Sequence, residues 1–336
     1  MTETAPAASD LSAASATPAT KLIGRSASVE APATIANLGA GYDCLGLAVE
    51  LPLRVTVEAV EPGADPSAID LTVEGDCVGE LPADRSNRFV VALEAGLAEL
   101  GFEGVDRVGW RIRMSNPIPL ERGLGSSASA TVAGLVAARA LAGRSLDSAT
   151  ALRLATRIEG HPDNVAPALL GGLVASIALD DGVEAIRIEP PRDLLVVAWI
   201  PERKLPTSEM RRVLPDRVPR ADALANLARV AVGVAGLSAG RADVLRLLTE
   251  DRLHEPYRAA VYPELPELVA AARAAGALGA CLSGAGSTIV AFVDASDETA
   301  ADRVAAAFRA TATRLSQPGR LLALRPATAG ARVSSP

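Results

Sequence analysis

Gly123 and Gly125 stand one residue apart and are followed at once by Ser126 and Ser127. Backbone N–H groups in a glycine-rich turn converge on an anion, and the free N–H groups of a helix start add partial positive charge. A phosphate is the guest such a turn suits. The same residues also serve a plain strand-to-helix turn, with glycine for its backbone angles and serine for an N-cap. Three further clusters break an otherwise apolar background. In residues 37–43 an amide, Asn37, and a carboxylate, Asp43, lie among glycines, an arrangement for a small polar ligand or for a local turn. Glu159, His161, Asp163 and Asn164 fall within six residues. Carboxylates beside a phosphate are what a magnesium ion and a reacting hydroxyl require, because Mg2+ takes one or two protein carboxylates and keeps phosphate oxygens and waters. The alternative is a polar surface loop capping a helix. Residues 279–288 (GACLSGAGST) form either a glycine-rich hairpin or a loop that closes against the first turn. Arg211 and Arg258 are isolated arginines, ordinary on a surface but also the natural bidentate clamp for a carboxylate.

The elements that must position these groups follow from periodicity. A strand-like run at 110–114 enters the Gly123 turn, and an Ala-rich helical run at about 127–141 leaves it. Strands are expected at 25–31, 53–60 and 69–74, and a helix at 87–100 that stops at Gly101. Residues 32–47 match neither period. A helix at 147–158, with Asp147 as N-cap, precedes the acidic cluster, and 173–179 with 183–188 read as a hairpin. Pro190-Pro191 marks a boundary. Beyond it come a strand at 194–200, helices near 220–237, 241–249 and 264–275, strands at 277–282 and 288–293, a helix at 297–311 and a strand at 320–324. That order is a split βαβ, a ferredoxin-like domain with inserted helices. The expected division is a disordered tail over 1–20, rich in Ala, Ser, Thr and Pro, then domains at 21–189 and 190–336.

Composition narrows the function. With 336 residues, 49% of them hydrophobic, the chain has room for one large domain or two medium ones, and the element order makes two α+β domains the expectation. A net charge of −7 without clustered basic residues argues against nucleic acid. Apolar runs fall short of the roughly 18–20 uncharged residues that span a bilayer, and the N-terminus lacks the apolar stretch of a secretory signal. No membrane role and a cytoplasmic location are therefore expected. The cysteines Cys44, Cys77 and Cys281 form no CxxC pair, which favours reduced, buried thiols. Lys21 and Lys204 are the only lysines, and no GxxxxGK[ST] string occurs. Any nucleotide must be held by backbone amides, serines, arginine and a divalent cation.

Residues 32–43, 119–129, 159–164 and 279–287, in this order, resemble the motifs of the GHMP small-molecule kinases. PATIANLGAGYDCLGLAVE, EGHPDNVAPALLGGLV and the strings around Thr207, Arg211, His254 and Arg258 are similar to those of its homoserine kinases. The resemblance runs over roughly residues 21–324. It implies an N-terminal domain like domain 2 of ribosomal protein S5, a ferredoxin-like C-terminal α/β sandwich, and a homodimer. It implies ATP-dependent phosphorylation of the side-chain hydroxyl of L-homoserine, with Mg2+, in threonine biosynthesis. Pro119, Arg122, Gly123, Leu124, Gly125, Ser126, Ser127, Ala128 and Ser129 would then cradle the ATP phosphates, with Ser127 and Glu159 on the metal. Asn37, Asp43, His161, Asp163, Arg211 and Arg258 would line the amino-acid pocket. Asp163, Asn164 and Thr207 would serve the chemistry, Asp163 facing the reacting hydroxyl. Ile35, Ala40 and Tyr42 depart from the usual form of the first motif. Two other readings remain: the same chemistry on another small alcohol, and a silent sensor of ATP and an amino acid.

Overall fold

The structure is a computed structural model describing residues 16–335. β1 (Thr17–Pro18) pairs in parallel with β5 (Phe102–Glu103), and a 3-10 turn at Ala19–Leu22 buries Ala19 and Leu22. This corrects the expected tail: from Thr17 onward the chain is held on the domain, and residues 1–15 lie outside the described ones.

β2 (Ser26–Ala36), β3 (Leu45–Val60), β4 (Asp70–Gly75), β6 (Gly109–Asn116), β7 (Leu173–Ala178), β8 (Val183–Ile188) and β13 (Arg332–Val333) build a seven-stranded sheet. Its main order is β13-β2-β3-β6-β4, with β7 joining β3 and pairing with β8. Only β4 and β6 run parallel in it. Both β2 and β3 are longer than their spacing suggested. Residues 31–36 and 45–49 are buried at every position, so the alternation that marks a half-buried strand is missing there. Pro32, which cannot donate to a ladder, coincides with a register shift between Ala31 and Ala33.

Four helices pack on this sheet. α1 (Arg88–Glu99) starts at Asn87, whose side chain accepts from the Phe89 N–H. α2 (Ser126–Ala142) runs between Gly125 and Gly143. α3 (Ser148–Glu159) is capped by Asp147, as its sequence predicts. α4 (Pro162–Leu170) is a helix where the sequence suggested a polar loop; Pro162 sits in its first turn, where a missing N–H costs nothing.

Across Pro190-Pro191 the chain changes sheets. β9 (Leu194–Pro201), β10 (Gly279–Leu282), β11 (Ile289–Asp294) and β12 (Gly319–Leu324) form an antiparallel sheet ordered β10-β11-β9-β12. With the helices in between, that is the expected ferredoxin-like topology. α5 (Thr207–Arg212), α6 (Arg220–Ser238), α7 (Leu245–Leu248) and α8 (Glu255–Arg258) follow β9. α9 (Leu265–Ala274) and α10 (Ala300–Arg314) cover one face of this sheet, around Val197, Trp199, Leu268 and Phe308. Its other face joins Val196, Ala198 and Phe292 to the first domain's core at Leu38, Leu47 and Leu173. A shared core of this kind holds the cleft between the domains in one shape. After β12 the chain crosses back. Glu50 N donates to Arg325 O at 2.9 Å and β13 pairs with β2. The last residues therefore belong to the first sheet, which corrects the second-domain span of 190–336.

Candidate active site

The cleft between the domains holds a cavity of about 530 Å3. The Gly123 turn, the acidic cluster, the 37–43 loop and both singled-out arginines reach it. On one wall the β6-to-α2 link bends through Gly123 at φ 76° and Gly125 at φ 69°. A side chain at Gly123 would sit 2.1 Å from Ser283 O, and one at Gly125 would sit 1.9 Å from Thr34 Oγ1. Glycine is thus needed both for its left-handed backbone and for its missing Cβ. No side chain caps α2, so its first-turn N–H groups remain free to receive an anion. Ser126 is not a cap; its hydroxyl accepts from Asn116 Nδ2 at 3.1 Å. Pro119, Leu124 and Ala128 also line this wall.

Two expected phosphate residues point elsewhere. Ser129 is fully buried and donates its hydroxyl to Pro32 O at 2.6 Å and Gly125 O at 3.0 Å. It ties α2 to β2. The Arg122 guanidinium is spent on the carbonyls of Pro201, Leu120 and Glu202, bracing β9 against the turn. Arg122 lines the cavity, yet its charge is taken up by those carbonyls.

Glu159 ends α3 beside the start of α2. Its Oε1 accepts from Ser127 Oγ at 2.9 Å and from Thr131 Oγ1 at 2.8 Å, and Arg88 Nε lies 3.3 Å away. Thr131 falls four residues after Ser127, on the same helical face, a signal readable in the sequence. Arg88 comes from the start of α1, and no local pattern points to it. Asp163 lies in the first turn of α4, 2% exposed. Its Oδ1 is bonded to His161 Nδ1 and takes Asn164 Nδ2 at 3.3 Å, while Asn164 Oδ1 accepts from Thr34 Oγ1 at 2.8 Å. Oδ2 of Asp163 has no hydrogen bond among the described residues. Burial opposes charge on His161, but the bond to Asp163 and that residue's charge outweigh it and raise the imidazole pKa above its usual value.

Opposite stand the residues expected to line the amino-acid pocket. Asn37 and Asp43 both have left-handed backbones, at φ 72° and 56°, held by Asn37 N to Leu45 O at 2.7 Å and Asp43 N to Asn37 Oδ1 at 3.0 Å. Such strain gathers where a site must be preformed. Arg211 grips Asp43 through both terminal nitrogens, at 3.2 and 2.9 Å, and also touches the Tyr42 hydroxyl. Arg258 is 1% exposed. Its guanidinium meets Met210 O, Gly284 O and His254 Nδ1, and no carboxylate pairs with it among the described residues. Asn37 Nδ2 shares Gly284 O at 2.9 Å, so the 283–287 turn does close on the cleft. Thr207, first residue of α5, completes the lining.

Residues 87–172 match the GHMP kinases N terminal domain and 235–313 the GHMP kinases C terminal domain. A homoserine kinase of Moorella thermoacetica is 41% identical over 280 residues, covering 83% of this chain and 92% of that protein. One from Thermus thermophilus is 42% identical over 278 residues, covering 83% and 90%. The crystal structure of a homoserine kinase from Cytophaga hutchinsonii superposes with a TM-score of 0.80 at 29% identity, over 92% of this chain and 97% of that one. An L. major mevalonate kinase, solved with R-mevalonate, shares the fold at 17% identity with a TM-score of 0.67, over 88% and 95% of the two chains. The similarity thus covers most of both domains and the cleft between them, and the chain belongs to the GHMP kinases, within the homoserine kinase family.

Proposed function

We propose that this chain transfers the γ-phosphoryl group of ATP to the side-chain hydroxyl of L-homoserine, forming O-phospho-L-homoserine for threonine synthesis. One observation carries the choice of acceptor: Arg258 is a buried guanidinium without an acidic partner among the described residues, and it opens onto the cavity that contains the Gly123 turn. A buried cation is costly until an anion joins it, and the substrate's carboxylate is that anion. Arg211 supplies a second donor fork, and Asp43 receives the ammonium. The relatives' shared name as homoserine kinases supports the same acceptor.

Gly123, Gly125, Ser126 and Ser127 receive the ATP phosphates on free backbone amides, which the chain needs in place of a P-loop lysine, and the Ser127 hydroxyl would turn from Glu159 as phosphate and metal enter. Glu159 and Ser127, with Thr131 alongside, form an oxygen-rich set that fits Mg2+, a hard cation. Bound there, Mg2+ would neutralise phosphate charge. Among the described residues no cluster of three or more His, Cys, Asp or Glu is placed to hold a metal, in keeping with an ion shared with phosphates. Arg88 would leave Glu159 for the metal. Asp163 offers Oδ2 to the substrate hydroxyl, orienting it and accepting its proton. His161 and Asn164 hold that carboxylate, and Thr207 faces the transferred group. Phosphoryl transfer passes through a loose transition state, so positioning and charge neutralisation supply most of the rate.

The finer setting is also proposed: two chains pair, and the enzyme works in the cytoplasm, a reducing compartment that suits its three free cysteines. An ADP-release assay with homoserine, mevalonate, galactose and shikimate tests the reaction. Turnover is expected with homoserine; turnover of another alcohol with none of homoserine sinks this reading.

A further inference from the structure

We propose that His254 is a positioning residue of the substrate clamp, its imidazole fixing the Arg258 guanidinium and the 37–43 loop relative to one another. The inference rests on reading Arg258 as the carboxylate clamp. His254 is fully buried, its ring stacked on Tyr42 at a centroid distance of 5.1 Å. Arg258 Nη1 lies 3.0 Å from Nδ1, and His254 Nε2 lies 2.9 Å from Gly39 O. Arginine has no acceptor, so Nδ1 carries the lone pair and the proton sits on Nε2, which donates to Gly39. One neutral ring therefore bonds the clamp on the C-terminal side and the loop carrying Asn37 and Asp43 on the N-terminal side. Burial, and then the nearby Arg258 charge, hold its pKa down at about 4 against the pull of Asp251 and Asp43, so the ring stays neutral through neutral pH.

The ring is itself braced. Asp251 Oδ2 accepts from the His254 N–H and the Glu255 N–H, both at 2.7 Å, and Oδ1 accepts from Leu253 N at 2.9 Å and Asn226 Nδ2 at 2.7 Å. Asn226 Nδ2 also reaches Ala40 O at 3.2 Å. α6 and α8 thus grip the 37–43 loop at two successive carbonyls. Without the imidazole, Arg258 keeps only carbonyl acceptors, Gly284 O at 2.9 Å and Met210 O at 3.3 Å. Because Asn37 shares Gly284 O, a guanidinium that swings moves both sides of the amino-acid pocket.

Three substitutions separate the two bonds. His254→Asn keeps an acceptor near Nδ1, His254→Gln keeps a donor near Nε2, and His254→Phe keeps only the ring stack. Losing a hydrogen bond to a charged group is expected to raise KM for homoserine about 10–100-fold in the Phe and Gln variants. The Asn variant should stay within about 3-fold, and kcat and KM for ATP within about 2-fold in all of them, because the phosphate wall is untouched. Equal rises in all three variants, tracking their loss of Tm, would make His254 merely structural and overturn the proposal. So would an unchanged KM in folded His254→Phe while Arg258→Ala raises it. If Arg258→Ala also leaves KM unchanged, the clamp reading itself has failed. Should the Phe variant not fold, the Asn-against-Gln contrast decides. Imidazole nitrogen NMR gives an independent readout, simplified by the chain's two histidines: a proton found on Nδ1 of His254 overturns the proposal.

Discussion

In the proposed clamp Arg211 and Arg258 would hold the same substrate group in different ways, and the difference is physical. The Arg211–Asp43 pair is more than one-third exposed on both sides. Such pairs contribute about 0–1 kcal/mol, so a zwitterion that offers each partner a new counterion opens it at little cost. Arg211→Gln should therefore raise KM for homoserine about 10-fold or more while leaving Tm nearly unchanged, as steady-state kinetics and calorimetry would show. In the proposed reaction Asp163 acts on the other kinetic constant. Asp163→Asn keeps the shape but weakens the acceptor, and kcat is expected to fall about 10²–10⁴-fold with KM for ATP within about 3-fold. An unchanged kcat would remove the assigned role. His161 adds a pH signature. Its folded pKa is raised above an unfolded value of about 6.5, so its contribution to stability is full below that pH and fades as pH rises through the folded value. The Tm gap between wild type and His161→Gln should accordingly shrink on going from pH 6 to pH 9.

At the scale of elements, the turn before α2 and the short helix α8 do the positioning. Gly125→Ala places a Cβ 1.9 Å from Thr34 Oγ1 and a side chain at φ 69°. The left-handed backbone alone costs about 1–2 kcal/mol, and Thr34 must also release Asn164. Loss of ATP binding beyond the loss of stability is expected, measurable by titration calorimetry with a non-hydrolysable analogue. α8 is tied to β10 by Glu255, whose Oε1 accepts from Leu282 N at 2.7 Å. Burial lifts this carboxyl to a pKa of about 8 despite that bond. A folded pKa raised above the ordinary carboxylate value means that the folded chain keeps a proton the unfolded chain has lost. Stability from this group declines as pH climbs from about 4.5 to 8. Glu255→Gln keeps the acceptor and should flatten that decline in a series of Tm measurements.

For the whole molecule, the four-stranded sheet buries one face under α9 and α10 and the other against the first domain, while β13 returns to the first sheet. The two halves should therefore unfold in one calorimetric transition. α6 is different. It is long and apolar enough to cross a membrane by length and composition alone, yet it carries Arg229 paired with Glu250 at 2.9 Å and the buried Asn226. Leu224, Leu227 and Val232 stand exposed on it. In the proposed homodimer this apolar face is the natural contact, since such patches mark interaction surfaces. Leu224→Glu with Leu227→Glu should shift the molecule to monomer in sedimentation velocity, and an unchanged mass would place the pairing elsewhere.

Local chemistry was legible wherever it depends on neighbours in the chain. Gly123 and Gly125 marked the strand-to-helix turn, Glu159 and Asp163 two carboxylates that reach one cavity, and the element order beyond Pro190 a ferredoxin-like domain, because turn residues and period-2 or 3.6-residue patterns are written over short windows. Ser129 and Arg122 sit in the same motif and looked equally suited to phosphate. Folding sent the Ser129 hydroxyl to Pro32 O and the Arg122 charge to the carbonyls of residues 120, 201 and 202, partners mostly remote in sequence. The full extent of β2 and β3 escaped notice because residues buried on both faces carry no alternation. The meeting of His254 with Gly39, and of Arg88 with Glu159, joins residues 215 and 71 positions apart. Nothing in a one-dimensional pattern specifies which distant carbonyl or carboxylate a side chain will satisfy. Packing the two domains around one core decides that.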